Sequence, residues 1–379
     1  MSRLPALWAT PADHVAATRT DRPCLYFSPE TLQATAERFR AGFPGRVTYA
    51  VKANDALVVI ENLVQAGMTA FDVASPHEMR LVRSVLPDAV LHYNNPVRSP
   101  GEIAFARDMC VASYSVDSFS ELAKLADALE PRGVEVAVRL KLTVAGAAYD
   151  FGAKFGAEPA TCVALLEEVA RLGFTPAMTF HPGTQCEDGT AWEAYIAEAA
   201  RVARAAGVRL ARLNVGGGFA AHRRGAAPDL EAVFSAISGA VVAHFGADAP
   251  DLVCEPGRAM VAEAFALGAG VKAIRDDGAV FLNDGIYGGL AEAVVLGAVE
   301  RLEVLSPAGE QRRGPPVGRV VFGPTCDSLD RLPGLVGLPE DMAEGDVVLF
   351  QGMGAYSTAT VTRFNGYGEM DLVTVARTA

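Results

Sequence analysis

Short apolar runs alternate with longer helical stretches along residues 30–260. Eight runs rich in β-branched and other apolar residues predict strands at 47–52, 70–74, 90–94, 113–117, 134–141, 177–181, 210–215 and 252–255. Between these runs apolar residues recur at the spacing of helical turns, for example in 120–129 and 191–206. This order of strands and helices predicts repeated βα units.

The polar residues of this region follow the ends of the predicted strands. Eight parallel strands with intervening helices predict a (β/α)8 TIM barrel, whose active site is built at the carboxyl ends of its strands. An open dinucleotide-binding sheet would instead concentrate its polar fingerprint after one strand. Separate apolar runs are here followed by Lys52 and Asn54, Asp72, Asn94 and Asn95, Asp117, His181, Gly216 to Gly218, and Glu255 to Arg258.

Beyond about residue 260 the pattern changes to short strand-like runs broken by Gly, Pro and Asp. These runs lie at 264–274, 279–285, 318–328, 345–357 and 359–367, and they predict an antiparallel β-barrel or sandwich domain. We expect the run 24–27 (CLYF) to join it and 306–318 to form an exposed loop. The predicted domains are a barrel at 30–260 and a β domain made of 1–29 and 261–379.

Composition narrows the class of protein. Half of the 379 residues are hydrophobic and 21% are charged, which is typical of an ordered globular protein. A net charge of -12 without clustered Lys and Arg argues against a nucleic-acid partner. The sequence shows no leader with a cleavage site and no run of about 18 apolar residues, so we expect a cytoplasmic protein with no membrane partner. The six cysteines form no CxxC pair, and neither a disulfide framework nor a metal site is predicted.

Two strand ends carry candidate chemistry. Lys52, in YAVKAN, ends the first strand, and a lysine at a barrel mouth can lose its proton more easily and form a Schiff base with an aldehyde. Gly216, Gly217 and Gly218 follow a later strand and let backbone N–H groups approach a phosphate. Taken alone, a strand-end lysine is more often a surface charge, and a run of glycines is equally typical of a tight turn.

Three further segments combine residue types that carry chemistry. The last barrel strand is followed by EPGR, from Glu255 to Arg258, which by itself is also typical of a surface turn with an ion pair. His181, in HPGT, ends the sixth strand, where a single histidine is usually structural. Cys326 lies beside two carboxylates in GPTCDSLD, which from spacing alone is a weak redox or metal candidate.

Together these segments resemble the motifs of the fold-type III pyridoxal-phosphate-dependent decarboxylases, the ornithine, lysine and diaminopimelate decarboxylase-like family. The resemblance is closest to the ornithine/lysine branch, covers about residues 25–370, and includes 354–356 (GAY) and 364–366 (FNG). It implies an alanine racemase/ornithine decarboxylase-like fold with pyridoxal 5'-phosphate as cofactor. The implied reaction is decarboxylation of an L-amino acid to an amine and CO2.

The resemblance also implies roles for individual residues. Lys52 would hold the cofactor, Glu255 would face its pyridine nitrogen and make the ring an electron acceptor, and Cys326 would return a proton to Cα. His181 would stack on the ring as a fourth catalytic residue. The remaining implied cofactor contacts are Asp72, Arg139, Thr184, Gly216, Gly217, Gly218, Gly257, Arg258 and Tyr356, and the implied substrate contacts are Asp327, Tyr287, Leu296 and Phe364.

By the same resemblance, each complete active site requires a homodimer. Cys326 and Asp327 would come from the partner subunit, and Lys154 would pair with Asp330 across the interface. An exposed ion pair contributes only ~0–1 kcal/mol, so this pair indicates position more than affinity.

The chain departs from the eukaryotic-type ornithine decarboxylase pattern at one position of the implied substrate pocket. Leu296 stands where an ungapped alignment expects an aspartate that contacts the distal amine of the substrate. An apolar side chain does not balance an ammonium group, and a buried unpaired charge is costly. We therefore expect a substrate of ornithine or lysine type, or a derivative whose distal amine is acylated, extended or absent.

Several alternatives remain open. A decarboxylase of a conjugated amino acid in siderophore or other specialised-metabolite biosynthesis would explain Leu296, whereas a free diamino acid would indicate polyamine biosynthesis. Diaminopimelate decarboxylases usually carry CESGD-like residues where this chain has CDSLD, and racemases of this fold carry a tyrosine in place of Cys326. An inactive decarboxylase-like regulator would be expected to lose the cofactor contacts that are present here.

Overall fold

The computed structural model describes residues 7–18, 20–143, 154–297 and 300–379. The chain divides into two compact units. The barrel unit comprises Ala36–Ala220 and Pro228–Gly257, and the β unit comprises the residues up to Thr35, Ala221–Ala227 and Arg258–Ala379. The β unit thus includes a short segment, Ala221–Ala227, that interrupts the barrel sequence.

The regular elements alternate along the barrel sequence and become mostly strands after it. The strands are β1 (Cys24–Phe27), β2 (Arg46–Val47), β3 (Tyr49–Ala50), β4 (Ala70–Val73), β5 (Val90–Tyr93), β6 (Ser113–Val116), β7 (Glu135–Leu140), β8 (Thr175–Phe180), β9 (Arg212–Asn214), β10 (Asp251–Cys254), β11 (Phe265–Ile274), β12 (Val280–Leu282), β13 (Leu302–Leu305), β14 (Pro316–Arg319), β15 (Val321–Phe322), β16 (Val336–Pro339), β17 (Val347–Gln351) and β18 (Asp371–Thr374). The helices are α1 (Pro11–Ala17), α2 (Pro29–Gly42), α3 (Leu57–Gln65), α4 (Pro76–Val85), α5 (Pro100–Asp108), α6 (Phe119–Ala128), α7 (Pro159–Arg171), α8 (Thr190–Ala205), α9 (Leu230–Phe245), α10 (Arg258–Val261) and α11 (Ala293–Leu296).

The barrel unit is built on a parallel sheet that returns to its first strand. The strand order is β2-β10-β9-β8-β7-β6-β5-β4-β3. β2 and β3 are two halves of one strand interrupted at Thr48, whose backbone N–H donates to the carbonyl oxygen of Cys254 on β10 (2.9 Å). Eight strand positions therefore surround one barrel, and the predicted (β/α)8 fold is confirmed.

Local sequence starts several barrel helices just after the strands end. Ser75, Ser99 and Ser118 each accept a hydrogen bond from the backbone N–H three residues later and so cap α4, α5 and α6. In α4 and α5 proline occupies the first helical position, where the N–H that it lacks would have no helical partner. These caps fix where the helices begin, shortly after the strand ends that carry the polar residues.

α9 is a barrel helix with one buried face. With the 3-10 turn that follows, it is long and apolar enough to cross a membrane by length and composition alone. Its buried residues recur every three or four positions, and Phe234 packs its ring against those of Phe39, Phe43 and Phe219. Val242 is exposed. This spacing is typical of an amphipathic helix that packs on a core.

The β unit contains a mixed sheet. Its order is β13-β17-β11-β1-β18, with β12 paired to both β11 and β15, and β14 pairs separately with β16. β1 pairs antiparallel with β11, so the run 24–27 joins this sheet as predicted. Most pairs are antiparallel, but β1 with β18 and β12 with β15 are parallel. Strands far apart in sequence are not held antiparallel by a tight turn, which permits these exceptions.

Three details differ from the sequence prediction. Lys52 lies in a single 3-10 turn (Val51–Ala53) beyond its strand. The run 359–367 contains a 3-10 turn (Phe364–Gly366) in place of a strand, because Asn365 and Gly366 adopt left-handed backbone angles. β13, β16 and β18 lie where no strand is predicted, and β14 begins inside the predicted loop 306–318. The hydrogen bonds of these strands come from separate segments of the chain.

Asp284, which follows β12, is a buried carboxyl group of the β unit. Its side chain is 2% exposed and accepts a hydrogen bond from the backbone N–H of Gly289 (2.9 Å). A Cβ atom at Gly288 would lie 1.8 Å from its Oδ1, so glycine is required there. Burial raises the pKa of Asp284 to about 7.

The raised pKa of Asp284 predicts that stability falls as pH rises. The folded chain retains this proton up to about pH 7, whereas the unfolded chain loses it near the ordinary value of 3.8, so ionisation favours the unfolded state over this interval. Relative to Asp284→Asn, the free energy of unfolding of the natural chain should decrease by up to about 4 kcal/mol between about pH 4 and pH 8. Urea denaturation at several pH values measures this difference.

The control for this prediction is Asp276→Asn, at an exposed aspartate in the turn before β12. Its stability should follow that of the natural chain at every pH. Equal pH dependence in the natural chain and in Asp284→Asn would contradict the raised pKa.

Candidate active site

Four barrel strands bring Asp72, Asn94, Asn214 and Glu255 into one buried group, called here the barrel cluster. The side-chain nitrogen of Asn94 donates to Oδ1 of Asp72 (3.1 Å) and to Oε1 of Glu255 (2.5 Å). The side-chain nitrogen of Asn214 donates to the same Oε1. Each of the four side chains is less than one-tenth exposed. Two amide donors thus replace water around a carboxylate inside the barrel.

Asp72 is the carboxyl group of the barrel cluster whose pKa is raised. Burial, reinforced by the charge of Glu255, raises the pKa of Asp72 well above its usual range, against the opposing effect of Lys52. Burial also lowers the pKa of Arg139, and the charges of Glu255 and Asp72 oppose that change. The raised pKa of Asp72 agrees with the general rule that two adjacent carboxyl groups do not both ionise easily.

Lys52 lies on the 3-10 turn that continues β3. The backbone N–H of Ala50 donates to the carbonyl oxygen of Pro256 (3.2 Å), and a Cβ atom at Gly257 would lie 3.1 Å from the Cβ of Ala53. Pro256 and Gly257 therefore pack directly against the lysine turn, and a side chain at Gly257 would push the two segments apart. The Lys52 side chain is exposed, so a ligand can reach its amine.

The glycine turn follows β9 and lies beside Glu255. Gly216 and Gly218 have left-handed backbone angles, with φ of 69° and 90°. A Cβ atom at Gly217 would lie 2.8 Å from the carbonyl oxygen of Glu255 and 3.3 Å from Nε2 of His181. All three positions therefore require glycine, two for conformation and one for space.

His181 directly follows β8. Its Nδ1 accepts a hydrogen bond from the backbone N–H of Gly183 (3.3 Å), which leaves the proton of the neutral ring on Nε2. Burial, followed by the positive charges of Lys52 and Arg139, lowers the pKa of His181 well below its usual value. His181 is therefore a neutral aromatic ring at the mouth, and Thr184 lies half-buried three residues further along the same turn.

In the β unit Arg258 forms a double hydrogen bond with Glu292. Its two terminal nitrogens donate to the two carboxylate oxygens, and the Nη2–Oε1 distance is 2.6 Å. The guanidinium carbon of Arg258 lies 5.2 Å from the ring centroid of Tyr356. Both charged side chains are largely buried, so this pair is held more firmly than a surface ion pair.

Asp330 stabilises the loop that carries Cys326. Its side chain is 1% exposed and accepts hydrogen bonds from the backbone N–H of Ile286 (3.0 Å), the backbone N–H of Thr325 (3.0 Å) and the hydroxyl of Thr325 (2.8 Å). These donors belong to its own chain. A pair between Asp330 and Lys154 of a second subunit stays a prediction.

The loop between Gly323 and Asp330 presents the Cys326 side chain outward. Cβ atoms at Gly285 and Gly323 would each lie 2.2 Å from Oδ1 of Asp330, so the loop closes tightly over that carboxylate. The backbone N–H of Cys326 donates to Oδ1 of Asn365 (3.0 Å), and the cysteine is exposed. The backbone is thus anchored while the thiol remains accessible.

Asp327, Tyr287 and Phe364 lie together in the β unit and are called here the β-unit group. The Tyr287 hydroxyl donates to Oδ2 of Asp327 (2.5 Å), and the ring centroids of Tyr287 and Phe364 are 5.2 Å apart. This hydrogen bond, followed by one from the backbone N–H of Leu329, lowers the pKa of Asp327. Three of the four predicted substrate contacts therefore form one group.

The fourth predicted substrate contact, Leu296, ends the short helix α11. Its neighbours Val294 and Val295 are 61% and 63% exposed, and Leu296 itself is half-buried. The position where an aspartate is expected is therefore part of an apolar surface of the β unit. Contiguous exposed apolar side chains are typical of ligand-binding or protein-binding surfaces.

Sequence reasoning missed three residues that the structure places at these sites. The sequence prediction places Asn94 at a strand end but gives it no role. It does not single out Asn214 or Glu292. The signal for the two asparagines is their position at strand ends, but their shared partner Glu255 appears only when the sheet closes. Asn95, by contrast, accepts a hydrogen bond from a nearby backbone N–H and lies outside the cluster.

The barrel unit suits an aromatic aldehyde that carries a phosphate. An exposed amine would bond to its aldehyde, a buried carboxylate would face its ring nitrogen, and a glycine turn without side chains would bind its phosphate. Oδ1 of Asn94 is also buried and has no hydrogen-bond partner among the residues that the structure describes. These features fit pyridoxal 5'-phosphate, and together with the barrel fold they define the class of pyridoxal-dependent barrel enzymes.

Comparison with known proteins identifies the family. The family described as pyridoxal-dependent decarboxylase, pyridoxal binding domain, matches residues 30–262. The chain belongs to the pyridoxal-dependent decarboxylases and is an amino acid decarboxylase with pyridoxal 5'-phosphate as cofactor.

Individual relatives extend the likeness over both units. The chain is 31% identical to the decarboxylase flvG of Aspergillus flavus, covering 84% of this chain and 77% of that protein. It is 32% identical to the ornithine decarboxylase of Mus musculus, covering 85% and 74%. Its structure is similar to the Paramecium bursaria Chlorella virus arginine decarboxylase bound to agmatine, with a TM-score of 0.84 and 26% identity over 94% and 96% of the chains. The names of these proteins do not agree on one substrate.

The close approach at Gly217 predicts that Gly217→Ala weakens cofactor binding. The added methyl group would displace the backbone at Glu255 or the ring of His181, both of which face the cofactor in our assignment. The dissociation constant of pyridoxal 5'-phosphate, measured by quenching of protein fluorescence, should rise by at least about 5-fold, since a clash of this kind typically costs 1–3 kcal/mol.

The matched control is Gly239→Ala in the interior of α9, where an added Cβ meets no atom within 4 Å. It should leave cofactor affinity unchanged and raise helix stability by about 0.5–1 kcal/mol. Equal cofactor affinity in both variants would show that the glycine turn is not part of the binding site.

Proposed function

We propose that this decarboxylase acts on an L-amino acid of ornithine or lysine type, or on a derivative with a modified distal group, and releases an amine and CO2. The observation that carries the proposal is the β-unit group of Asp327, Tyr287 and Phe364. A carboxylate with a lowered pKa beside two aromatic rings attracts a side chain that ends in a cation. The mouse and viral relatives are named for amino acids of that kind.

The barrel cluster supports the role proposed for Glu255. Pyridoxal 5'-phosphate, when bound, supplies an aldehyde that bonds to an amine and a ring that accepts electrons from Cα. Glu255, held through Oε1 by Asn94 and Asn214, maintains a proton on the ring nitrogen and thereby the accepting form of the ring. A strong electron acceptor favours loss of CO2 over racemisation, which needs a weaker one.

We propose that the cofactor is attached covalently to Lys52. This lysine lies on the turn that packs against Pro256 and Gly257. His181 stacks on the ring, because a neutral aromatic face lies well against another aromatic system. The glycine turn and Thr184 bind the phosphate. Asp72, Arg139, Gly257, Arg258 and Tyr356 complete the proposed cofactor contacts.

We assign the return of a proton to Cα to Cys326. Its backbone is anchored by Asn365 and Asp330 supports its loop, while the cysteine remains exposed. An exposed acid on an anchored loop suits a site completed by a second molecule. We therefore propose a homodimer in which Cys326 and Asp327 serve the active site of the partner subunit, with Lys154 and Asp330 at the interface. Separately, we propose a cytoplasmic location.

The identity of Leu296 bears on whether the distal amine of the substrate is free or modified. With an apolar residue there, the distal amine of ornithine or lysine has Asp327 but lacks the second carboxylate expected from the family pattern. The runner-up proposal is therefore a conjugated amino acid of siderophore or specialised-metabolite biosynthesis, whose distal nitrogen is acylated and uncharged. The exposed apolar side chains of α11 favour this version, because an acyl extension adds apolar surface.

Mixing two inactive variants tests both the residue roles and the shared site. Lys52→Ala should lose covalent cofactor absorbance, and Cys326→Ala should retain it but turn over roughly 10²-fold or more slowly, since positioned acids contribute that much. Unfolded and refolded together, the two should regain about a quarter of normal activity, because half of the dimers are mixed and each mixed dimer has one intact site. Release of CO2 measures the activity.

The control is Cys110→Ala, at another exposed cysteine, which should match the natural enzyme. Normal amine production by Lys52→Ala and Cys326→Ala would contradict the catalytic roles. Failure of the mixture to regain activity, with each variant inactive alone, would contradict the shared site and leave the roles standing.

Replacing Leu296 tests the proposed substrate. Leu296→Asp should raise the ratio of kcat/KM for free ornithine or lysine to that for their N-acylated forms by at least about 10-fold, because a charged hydrogen bond adds about 1.5–3 kcal/mol. Val294→Asp, on the same helix but more exposed, adds the same charge and should change the ratio little. An unchanged ratio in Leu296→Asp would show that this position does not face the distal group.

A further inference from the structure

Asn94 bridges the two carboxyl groups of the barrel cluster with one nitrogen. Its Nδ2 lies 3.1 Å from Oδ1 of Asp72 and 2.5 Å from Oε1 of Glu255. Since both oxygens contact the same atom, the carboxyl groups lie within the ~6 Å over which like charges strongly alter each other's ionisation. Both are also almost fully buried, so two full negative charges here would be poorly solvated.

We propose that Asn94 is a positioning residue that makes Asp72 and Glu255 titrate as one pair and keeps its single negative charge on Glu255. The inference rests on the proposed role of Glu255 at the ring nitrogen. The hydrogen bonds from the two asparagines favour a charge on Glu255. Oε1 of Glu255 accepts from both Asn94 and Asn214, whereas Oδ1 of Asp72 accepts from Asn94 at a longer distance. Hydrogen bonds to the ionised form favour that form.

The other groups around the pair act in both directions. Lys52 and the hydrogen bond from Asn94 favour ionisation of Asp72, and Glu78 opposes it. The guanidinium of Arg139 interacts more strongly with Glu255 than with Asp72. On balance, burial and the charge of Glu255 raise the pKa of Asp72 well above its usual range.

The unused oxygen of Asn94 supplies a second observation. Oδ1 is buried and has no hydrogen-bond partner among the described residues. A neutral Asp72 carries an O–H group, which is the kind of donor that this oxygen lacks.

The result is one negative charge beside one positively charged ring nitrogen. If Glu255 were protonated it would no longer favour the electron-accepting ring, and if Asp72 were also ionised the two adjacent buried carboxylates would repel each other. Asn94 thus acts on the reaction through Glu255, and its removal should shift the pH range in which the enzyme works.

The first experiment follows the carboxyl groups without substrate or cofactor. The Asp284→Asn background removes the other carboxyl group whose pKa is raised to about 7. In that background, infrared spectroscopy of the full-length chain, freed of cofactor, should show a protonated carboxyl band near neutral pH that disappears when Asp72→Asn is added. In Asn94→Ala the pair loses a donor to its charged forms, so both titration steps should move to higher pH, by about one unit for a lost hydrogen bond to a charge. Asn94→Asp adds a carboxylate and should move them further.

The matched control is Asn95→Ala, which removes a neighbouring amide that bonds outside the cluster. Its titration should coincide with that of the natural chain. Absence of the protonated band, or identical titration in Asn94→Ala and the natural chain, would overturn the proposal whatever the enzyme's substrate proves to be.

The second experiment uses the cofactor-loaded enzyme. The acid limb of kcat against pH should move upward in Asn94→Ala, in the same direction as the titration, and stay in place in Asn95→Ala. A purely structural role for Asn94 would instead lower kcat equally at all pH values, and that result would overturn the proposal. A shifted titration with no activity in any variant would leave the pair standing and contradict the proposed function.

Discussion

A carboxyl group buried inside a barrel and hydrogen-bonded by the protein is the constraint on which the barrel unit depends. Glu255 lies at the end of β10, almost without contact with solvent, and it is held there by amide donors from two other strands. A charge in this position is tolerated only when its hydrogen bonds are supplied by the protein. The closed sheet supplies them, because it brings strand ends that are far apart in sequence around the same carboxylate.

The β unit uses a buried carboxylate for a different purpose. Asp330 gathers three donors from two segments, and its oxygens approach Gly285 and Gly323 so closely that neither could carry a side chain. The loop around Cys326 is therefore positioned by Asp330, while the cysteine remains exposed. In both units a buried acid organises the backbone near proposed functional groups, and glycine permits the close approach.

Much of this arrangement could be predicted from the sequence. The structure and the comparisons confirm the predicted barrel, the strand at 24–27, the family and the cofactor. Regular periodicity and local motifs indicate these features in the sequence. The turn at Phe364–Gly366 and the strands β13, β16 and β18 could not be predicted. The turn depends on left-handed residues and the strands depend on hydrogen bonds to separate segments, both of which leave only weak local signals.

By itself the sequence determined which residue types could do chemistry: an amine at a strand end, a glycine turn, EPGR and a cysteine in an acidic loop. Only the tertiary structure decided how Asn94 and Asn214 share Glu255, and that Arg258 is paired with Glu292. The physical reason is distance along the chain. Hydrogen bonds and charge interactions act over a few ångströms in space, and the residues that they join here are 34 to 161 positions apart in sequence.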